Sequence, residues 1–208
     1  MKPLRLMVFD RTCAGEGLRP GLSTTWRAGS VLYRALGRLD ATFGATSWDE
    51  ALAWIARTEP DRPIGEIQYW GHGKWGQVLV DRDVLDARAF APGHPLHARV
   101  EAVRERLAPD ALVWLRTCEA FGARAGHDFA MRLADHLGVR VAGHTFVIHA
   151  LQSGLHGLAP GKQPDWPLDE GLAEGTPERP VRAHWSQKDS PRTITFLDGE
   201  VPPSWFAT

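Results

Sequence analysis

A histidine ending one apolar run and a cysteine ending another are the two residues whose types and spacing suit chemistry. His72 stands between glycines in "IQYWGHGKWG" (67–76), and Cys118 closes "LVWLRTC" (112–118), 46 residues further along. A thiol near neutral pH is only partly ionised. A neighbouring imidazole can take its proton as general base and later protonate a leaving group. Gly73 suits a backbone that must approach a substrate closely, and its N–H together with that of Cys118 would form an oxyanion hole. Taken singly, His72 reads first as a turn residue and Cys118 as a small buried apolar group. Their order and strand context make the pair worth following.

Such a pair needs neighbouring strands to hold it. Open parallel sheets carry their ligands beyond the C-terminal ends of the strands. Adjacent strands lie about 4.8 Å apart, so side chains leaving two neighbours can share a substrate. "LRLMVF" (4–9) is a first strand, ending at Asp10, and a Gly- and Pro-containing loop follows to about residue 27. "AGSVLYRALGRL" (28–39) has helical spacing, and "ATFGAT" is a short second strand. Ser47 caps "SWDEALAWIART", with Glu50 at the spacing of a capping box. "IGEIQYW" (64–70) is the third strand, and "GQVLVD" with "DVLD" reads as a small hairpin or excursion. "HARVEAVRERL" (97–107) is a charged amphipathic helix, and "ALVWLRT" (111–117) a strand buried on both faces. "GHDFAMRLADHLG" (126–138) is a helix closed by Gly138, and "VRVAGHTFVIHA" supplies a fifth strand. This alternation predicts a three-layer α/β/α sandwich around a mainly parallel sheet. Residues 151–180 carry five glycines and five prolines and read as a long surface loop. Short extended pieces follow around "VRAHW" and "RTITFLDG". The expectation is one domain over 1–208: a core to about residue 150, with a loop-rich C-terminal segment packed on it.

Composition narrows the function classes. A net charge of −1 gives no global basic field for nucleic acid or an anionic membrane. Two cysteines, Cys13 and Cys118, make neither a disulfide framework nor a Cys-rich zinc site. No stretch approaches the roughly 18 apolar residues of a membrane span, and "MKPLRLMVFD" lacks the features of a signal peptide. A cytoplasmic protein with reduced thiols is expected. "GEG" (15–17) lacks the third glycine of a dinucleotide fingerprint and the Lys of a P-loop. "QSG" and "GLHG" near 152–157 do not make a serine nucleophile elbow. His127, His136, His144, His149, His156 and His184 lack metal-ligand spacing, so no metal is expected. His144 reads as a core or surface residue, and Cys13 as incidental in its Gly-rich loop.

The block "IQYWGHG" followed by "LVWLRTCEAFG" resembles the caspase-like (clan CD) cysteine peptidases. These include caspases, metacaspases, legumains, separases, clostripain-like enzymes and bacterial CHAT domains. "RTCEAFGARAGHDFAMRLADHLGVRVAG" also resembles a bacterial caspase-like domain. The likeness spans about residues 1–148, with His72-Gly73 and Cys118 its specific positions. It implies an endopeptidase in which Cys118 is the nucleophile, His72 the base, and the backbone of Gly73 and Cys118 the oxyanion hole. No cofactor and no metal are implied. The partner is a protein or peptide substrate, with a regulatory protein as a further candidate. Two before the cysteine, Arg116 lies where the resemblance places the pocket for the residue preceding the scissile bond. Its guanidinium suits an acidic side chain, whereas Asp10 would pair with Arg116 or favour a basic one. Trp70, Trp75 and Glu119 are candidate groove residues. The loop 151–180 would border the groove, with Asp165, Asp169 and Glu170 as possible processing sites. In place of the glycine often found within two residues of the cysteine, this chain has Glu119, Ala120 and Phe121. Two alternatives therefore stand beside the peptidase: a catalytically silent binding or signalling module, and a Cys–His acyl-transfer enzyme acting on a small substrate.

Overall fold

A computed structural model describes residues 1–15 and 21–207; part of the "GEG" stretch lies outside the described residues. The first strand, β1, runs Leu4–Asp10, followed by helix α1, Leu22–Ala35. Helix α1 starts and ends earlier than its apolar spacing predicts. After Leu22 its opening residues, "STTW", are weak helix formers that give no periodic signal. At its other end Gly37 sits at φ 66, while Arg38 N–H donates to the Tyr33 carbonyl and Gly37 N–H to that of Arg34. These are the two bonds of a Schellman stop, which needs a left-handed residue. Strand β2 is Ala41–Ala45 and helix α2 is Trp48–Arg57. Ser47 Oγ accepts from the Glu50 N–H at 3.2 Å, as the capping pattern predicts. The Glu50 carboxylate, however, reaches back one residue further, to the Thr46 N–H and hydroxyl.

Strand β3, Ile64–Trp70, leads into a meander of β4 (His72–Lys74), β5 (Gln77–Val80) and β6 (Asp83–Asp86). Helix α3 covers His97–Arg104, β7 Leu107–Arg116, α4 Ala123–Leu137 and β8 Arg140–His144. The segment read as a long loop contains β9 (Leu151–Gln152), β10 (Leu155–Leu158) and β11 (Leu172–Thr176). Strand β11 pairs in a hairpin with β12 (Arg179–Ala183), and β13 (Ile194–Thr195) pairs with β9.

The main sheet has the order β10-β8-β7-β3-β1-β2, parallel throughout except for β10. This sixth strand corrects the expectation of five. Its sequence, Leu155-His156-Gly157-Leu158, is too short to show a period and is flanked by Gly154 at φ 60. All four of its residues are buried against β8, so tertiary pairing rather than local propensity makes it a strand.

Along β1 the side chains alternate faces. Leu4, Leu6 and Val8 join a cluster with Leu52 and Ile55 of α2, Val100 of α3 and Phe129 of α4. Met7 and Phe9 join Tyr33 of α1 and Trp70. The result is a mixed α/β fold with a six-stranded, mostly parallel central sheet and four α-helices among the described residues. No helix among them is long and apolar enough to cross a membrane.

Candidate active site at the reversal of strand order

Strand β3 lies between β1 and β7, and the register aligns Phe9 with Trp70 and Trp70 with Arg116. Asp10, His72 and Cys118 therefore leave the sheet at the same edge. The sheet's order runs outward to β2 on one side of β1 and to β3, β7 and β8 on the other. The reversal falls between β1 and β3, where doubly wound sheets open a crevice. His72 stands at that crevice with a cysteine-bearing segment on each side.

The exposed imidazole of His72 contacts Trp26 edge-on, with ring centroids 5.7 Å apart. Its Nε2 lies 3.0 Å from Cys13 Sγ. The next residue, Gly73, is seated on the other neighbour: a Cβ there would collide with the Cys118 carbonyl oxygen and the Thr117 side chain. Glycine is required here by close approach, since only backbone fits between β4 and the turn after β7.

That turn is strained and heavily braced. Glu119 adopts φ 42, a left-handed conformation costly for a residue with a side chain. Its N–H donates to the Phe146 carbonyl at 3.0 Å, and its carbonyl accepts from the Gly122 N–H at 3.0 Å. Its carboxylate, nearly fully buried, pairs with Lys74 at 3.0 Å. The N–H of Gly76 donates to the Ala120 carbonyl at 3.1 Å, and that of Phe121 to the His144 carbonyl at 3.0 Å. Thus the β4–β5 turn and the end of β8 hold the Cys118 turn from two sides. Cys118 Sγ lies 4.0 Å from the Ile148 carbonyl oxygen. Burial pushes this thiol up and the Glu119 charge adds to it, with Lys74 pulling the other way.

Cys13 sits in a carboxylate-rich loop. Asp10 Oδ1 accepts from the Thr12 N–H at 2.8 Å and from the Thr12 hydroxyl at 2.6 Å. Asp10 Oδ2 accepts from the Asp81 N–H at 3.0 Å and lies 3.6 Å from Cys13 Sγ. Burial first, then the Asp10 charge, raise the Cys13 thiol to about 11. The donor atoms of Asp10, Cys13 and His72 lie within 4.8 Å of one another, so these three side chains could hold a borderline cation such as Zn²⁺.

The other predicted site residues are elsewhere engaged. Arg116 is 3% exposed. Its Nε and Nη2 donate to Gln152 Oε1 at 3.0 and 2.7 Å, and its Nη1 donates to the Tyr33 hydroxyl at 2.7 Å. The guanidinium also lies over Trp70 and Trp114, at 4.7 and 4.3 Å from the ring centroids. With every nitrogen partnered inside the fold, this arrangement presents none of its donors to a substrate carboxylate. Asp10 is fully buried and Trp70 nearly so, which leaves the half-buried Trp75, under Lys74 at 4.3 Å, at the site's rim. Glu170 accepts from Thr145 and contacts His156 Nε2 at 2.5 Å, while Asp165 faces Arg192 at 3.7 Å. His144 is buried at the end of β8, its Nδ1 3.0 Å from the Ser153 carbonyl oxygen. Cys13 and Lys74 are the neighbours that spacing alone did not bring to the site. A polar residue three positions beyond the end of β1 was the available signal for Cys13.

The sequence matches no protein-family model and no curated protein. The fold and site define a mixed α/β protein in which an exposed imidazole contacts the Cys13 thiol, while the next residue, Gly73, packs on the turn that carries Cys118.

Proposed function

We propose that this chain is a caspase-like cysteine endopeptidase with Cys118 as nucleophile and His72 as base. The observation that carries the reading is the seating of Gly73 on the Cys118 turn at the ends of two paired strands. The three-layer arrangement belongs to the same reading: α1 shares a cluster with one face of β1, and α2, α3 and α4 with the other. The reading also takes a protein or peptide as substrate and the cytoplasm as location.

In the proposed reaction the exposed His72 ring accepts the Cys118 Sγ proton as sulfur attacks a peptide carbonyl. The carbonyl π pair moves onto oxygen, where the Gly73 and Cys118 N–H groups receive the charge. Gly73 pairs with Val78 one step from the two-residue turn that closes at Lys74 and Gln77. By the alternation of antiparallel ladders its N–H points outside the ladder and is free for this role. Collapse expels the amine, which takes the proton from the imidazolium. Water, deprotonated by His72, then cleaves the thioester and restores the thiol. Because Arg116 is fully engaged, an acidic substrate side chain would instead meet Arg11 and Arg27, which line a groove of about 570 Å³ beside β1 and β2.

A second reading rests on the 3.0 Å contact between Cys13 and His72, which would make Cys13 the nucleophile. Against it stands the carboxylate beside that thiol: Asp10 opposes the thiolate that attack requires. Labelling with a peptidyl acyloxymethylketone separates the two. The expected result is one adduct on Cys118, retained in Cys13→Ser and reduced at least about a thousandfold in His72→Ala. An adduct on Cys13 selects the second reading. Labelling of Cys118 that ignores His72→Ala removes the dyad and leaves a silent binding module. Reaction with small thioesters but no cleavage across a peptide library makes the chain an acyl-transfer enzyme instead.

A further inference from the structure

Away from the sheet edge, α3 and α4 bring together three side chains that the Cys–His site does not use. His97 and Glu101 are four residues apart on α3 and so project from one face. His136, in the last turn of α4, meets them. His97 Nδ1, Glu101 Oε1 and His136 Nε2 are shielded from solvent, and none has a hydrogen-bond partner among the described residues. One donor atom from each of these side chains lies within 4.8 Å of the others. The pair His136 Nε2 and Glu101 Oε1 is 2.7 Å apart, but the contact is not directed as a hydrogen bond. Buried polar atoms are nearly always partnered, and unpartnered atoms on three clustered metal-ligating side chains call for a common partner.

We propose that His97, Glu101 and His136 bind a divalent transition-metal ion, Zn²⁺ by donor chemistry, which clamps α3 to α4. Two neutral imidazole nitrogens and one carboxylate oxygen are a borderline-soft set that suits Zn²⁺, whereas Mg²⁺ and Ca²⁺ prefer oxygen alone. Bonds of about 2.0–2.2 Å in a tetrahedron hold ligand atoms a little over 3 Å apart. The 2.7 Å pair therefore opens by roughly 0.6–0.9 Å on binding, and the remaining donor, from His97, lies within 4.8 Å of both. The surroundings fix the ligands as metal sites require. Glu101 Oε2 accepts from Arg104 Nη1 at 3.2 Å, leaving Oε1 for the metal. Phe90 stacks on the His136 ring at 5.0 Å with an interplanar angle of 18°. A water would complete the tetrahedron. The site needs nothing from the Cys–His reading and stands or falls apart from it.

The alternative is a simple His136–Glu101 ion pair in which His97 has no part. Zinc titration of the metal-stripped full chain, followed by calorimetry and thermal unfolding, separates the two. Because Asp10, Cys13 and His72 offer a second donor set, Cys13→Ser is the control. One zinc per chain is expected at this site. At about a hundredfold excess over its Kd it raises the unfolding midpoint by roughly 5–10 °C. His97→Asn and His136→Asn should each weaken binding by at least about tenfold, while Cys13→Ser leaves both binding and stabilisation unchanged. Glu101→Gln, nearly isosteric, keeps the test alive if a histidine variant does not fold, and should weaken binding by a similar factor. Absence of stabilisation, wild-type zinc affinity in His97→Asn, or loss of binding in Cys13→Ser overturns the proposal.

Discussion

Two cysteine-bearing segments border β4, one through the side chain of His72 and the other through the backbone of Gly73. Cys13 hangs in a loop stitched by Asp10, with its thiol 3.0 Å from His72 and raised to about 11. Cys118 sits on a turn clamped by Gly76, Lys74, Phe146 and His144, where Gly73 approaches so closely that no side chain fits. One side has the thiol–imidazole contact; the other has the packed glycine and, at Glu119, a left-handed residue directly after the cysteine. Strain and close approach persist only where the surrounding structure over-determines them, which is why the Cys118 side is the stronger candidate for chemistry.

The sharpest way to break this contrast is Gly73→Val. Its branched side chain must displace the Cys118 carbonyl, so labelling at Cys118 should fall by about a hundredfold or more while Cys13 alkylation stays within twofold. This follows if the glycine exists for close approach. Equal losses at both thiols would mean that the substitution merely disorders the whole edge.

Acid should loosen the Cys118 side in particular. His144, whose carbonyl holds Phe121, is fully buried, and burial lowers its pKa to about 3. The folded value lies below the unfolded one of about 6.5, so the unfolded chain binds the extra proton between them. Stability from this group is complete above about pH 6.5 and is lost as pH falls toward 3. By pH 4.5 the loss is roughly 2–3 kcal/mol. Urea midpoints across this range should show it, with a shallower slope in His144→Asn. Half-buried His127, lowered to about 4 mainly by burial, acts in the same direction.

The smallest effect concerns Cys13 alone. With a pKa of about 11, its thiol is ionised to about one part in a thousand at pH 8. Asp10→Asn removes the nearest negative charge and should speed iodoacetamide alkylation of Cys13 at pH 8 severalfold. Fast alkylation in the wild type would contradict the raised Cys13 thiol.

Much of this geometry was legible in the residues. Long apolar runs ending in His72 and Cys118 became neighbouring strands, and Ser47 capped α2, because period, length and cap chemistry are local signals. Strand β10 was hidden because four residues containing His156 and Gly157 carry no period. The early turn of α1 was hidden because Ser and Thr are poor helix formers. Arg116 was misleading for a different reason. A charged residue two positions before a candidate nucleophile has the right chemistry for recognition, but only three-dimensional packing against Tyr33, Gln152, Trp70 and Trp114 reveals where its donors are spent.

The sequence by itself determined the mainly parallel α/β pattern and the arrival of His72 and Cys118 at strand ends. Alternation of periods and the glycines around His72 are properties of the chain. Tertiary structure decided which groups meet: Cys13 with His72, Gly73 with the Cys118 turn, and His97, Glu101 and His136 with one another. Those contacts join residues dozens of positions apart, and their formation depends on strand order and helix packing, which no local spacing encodes.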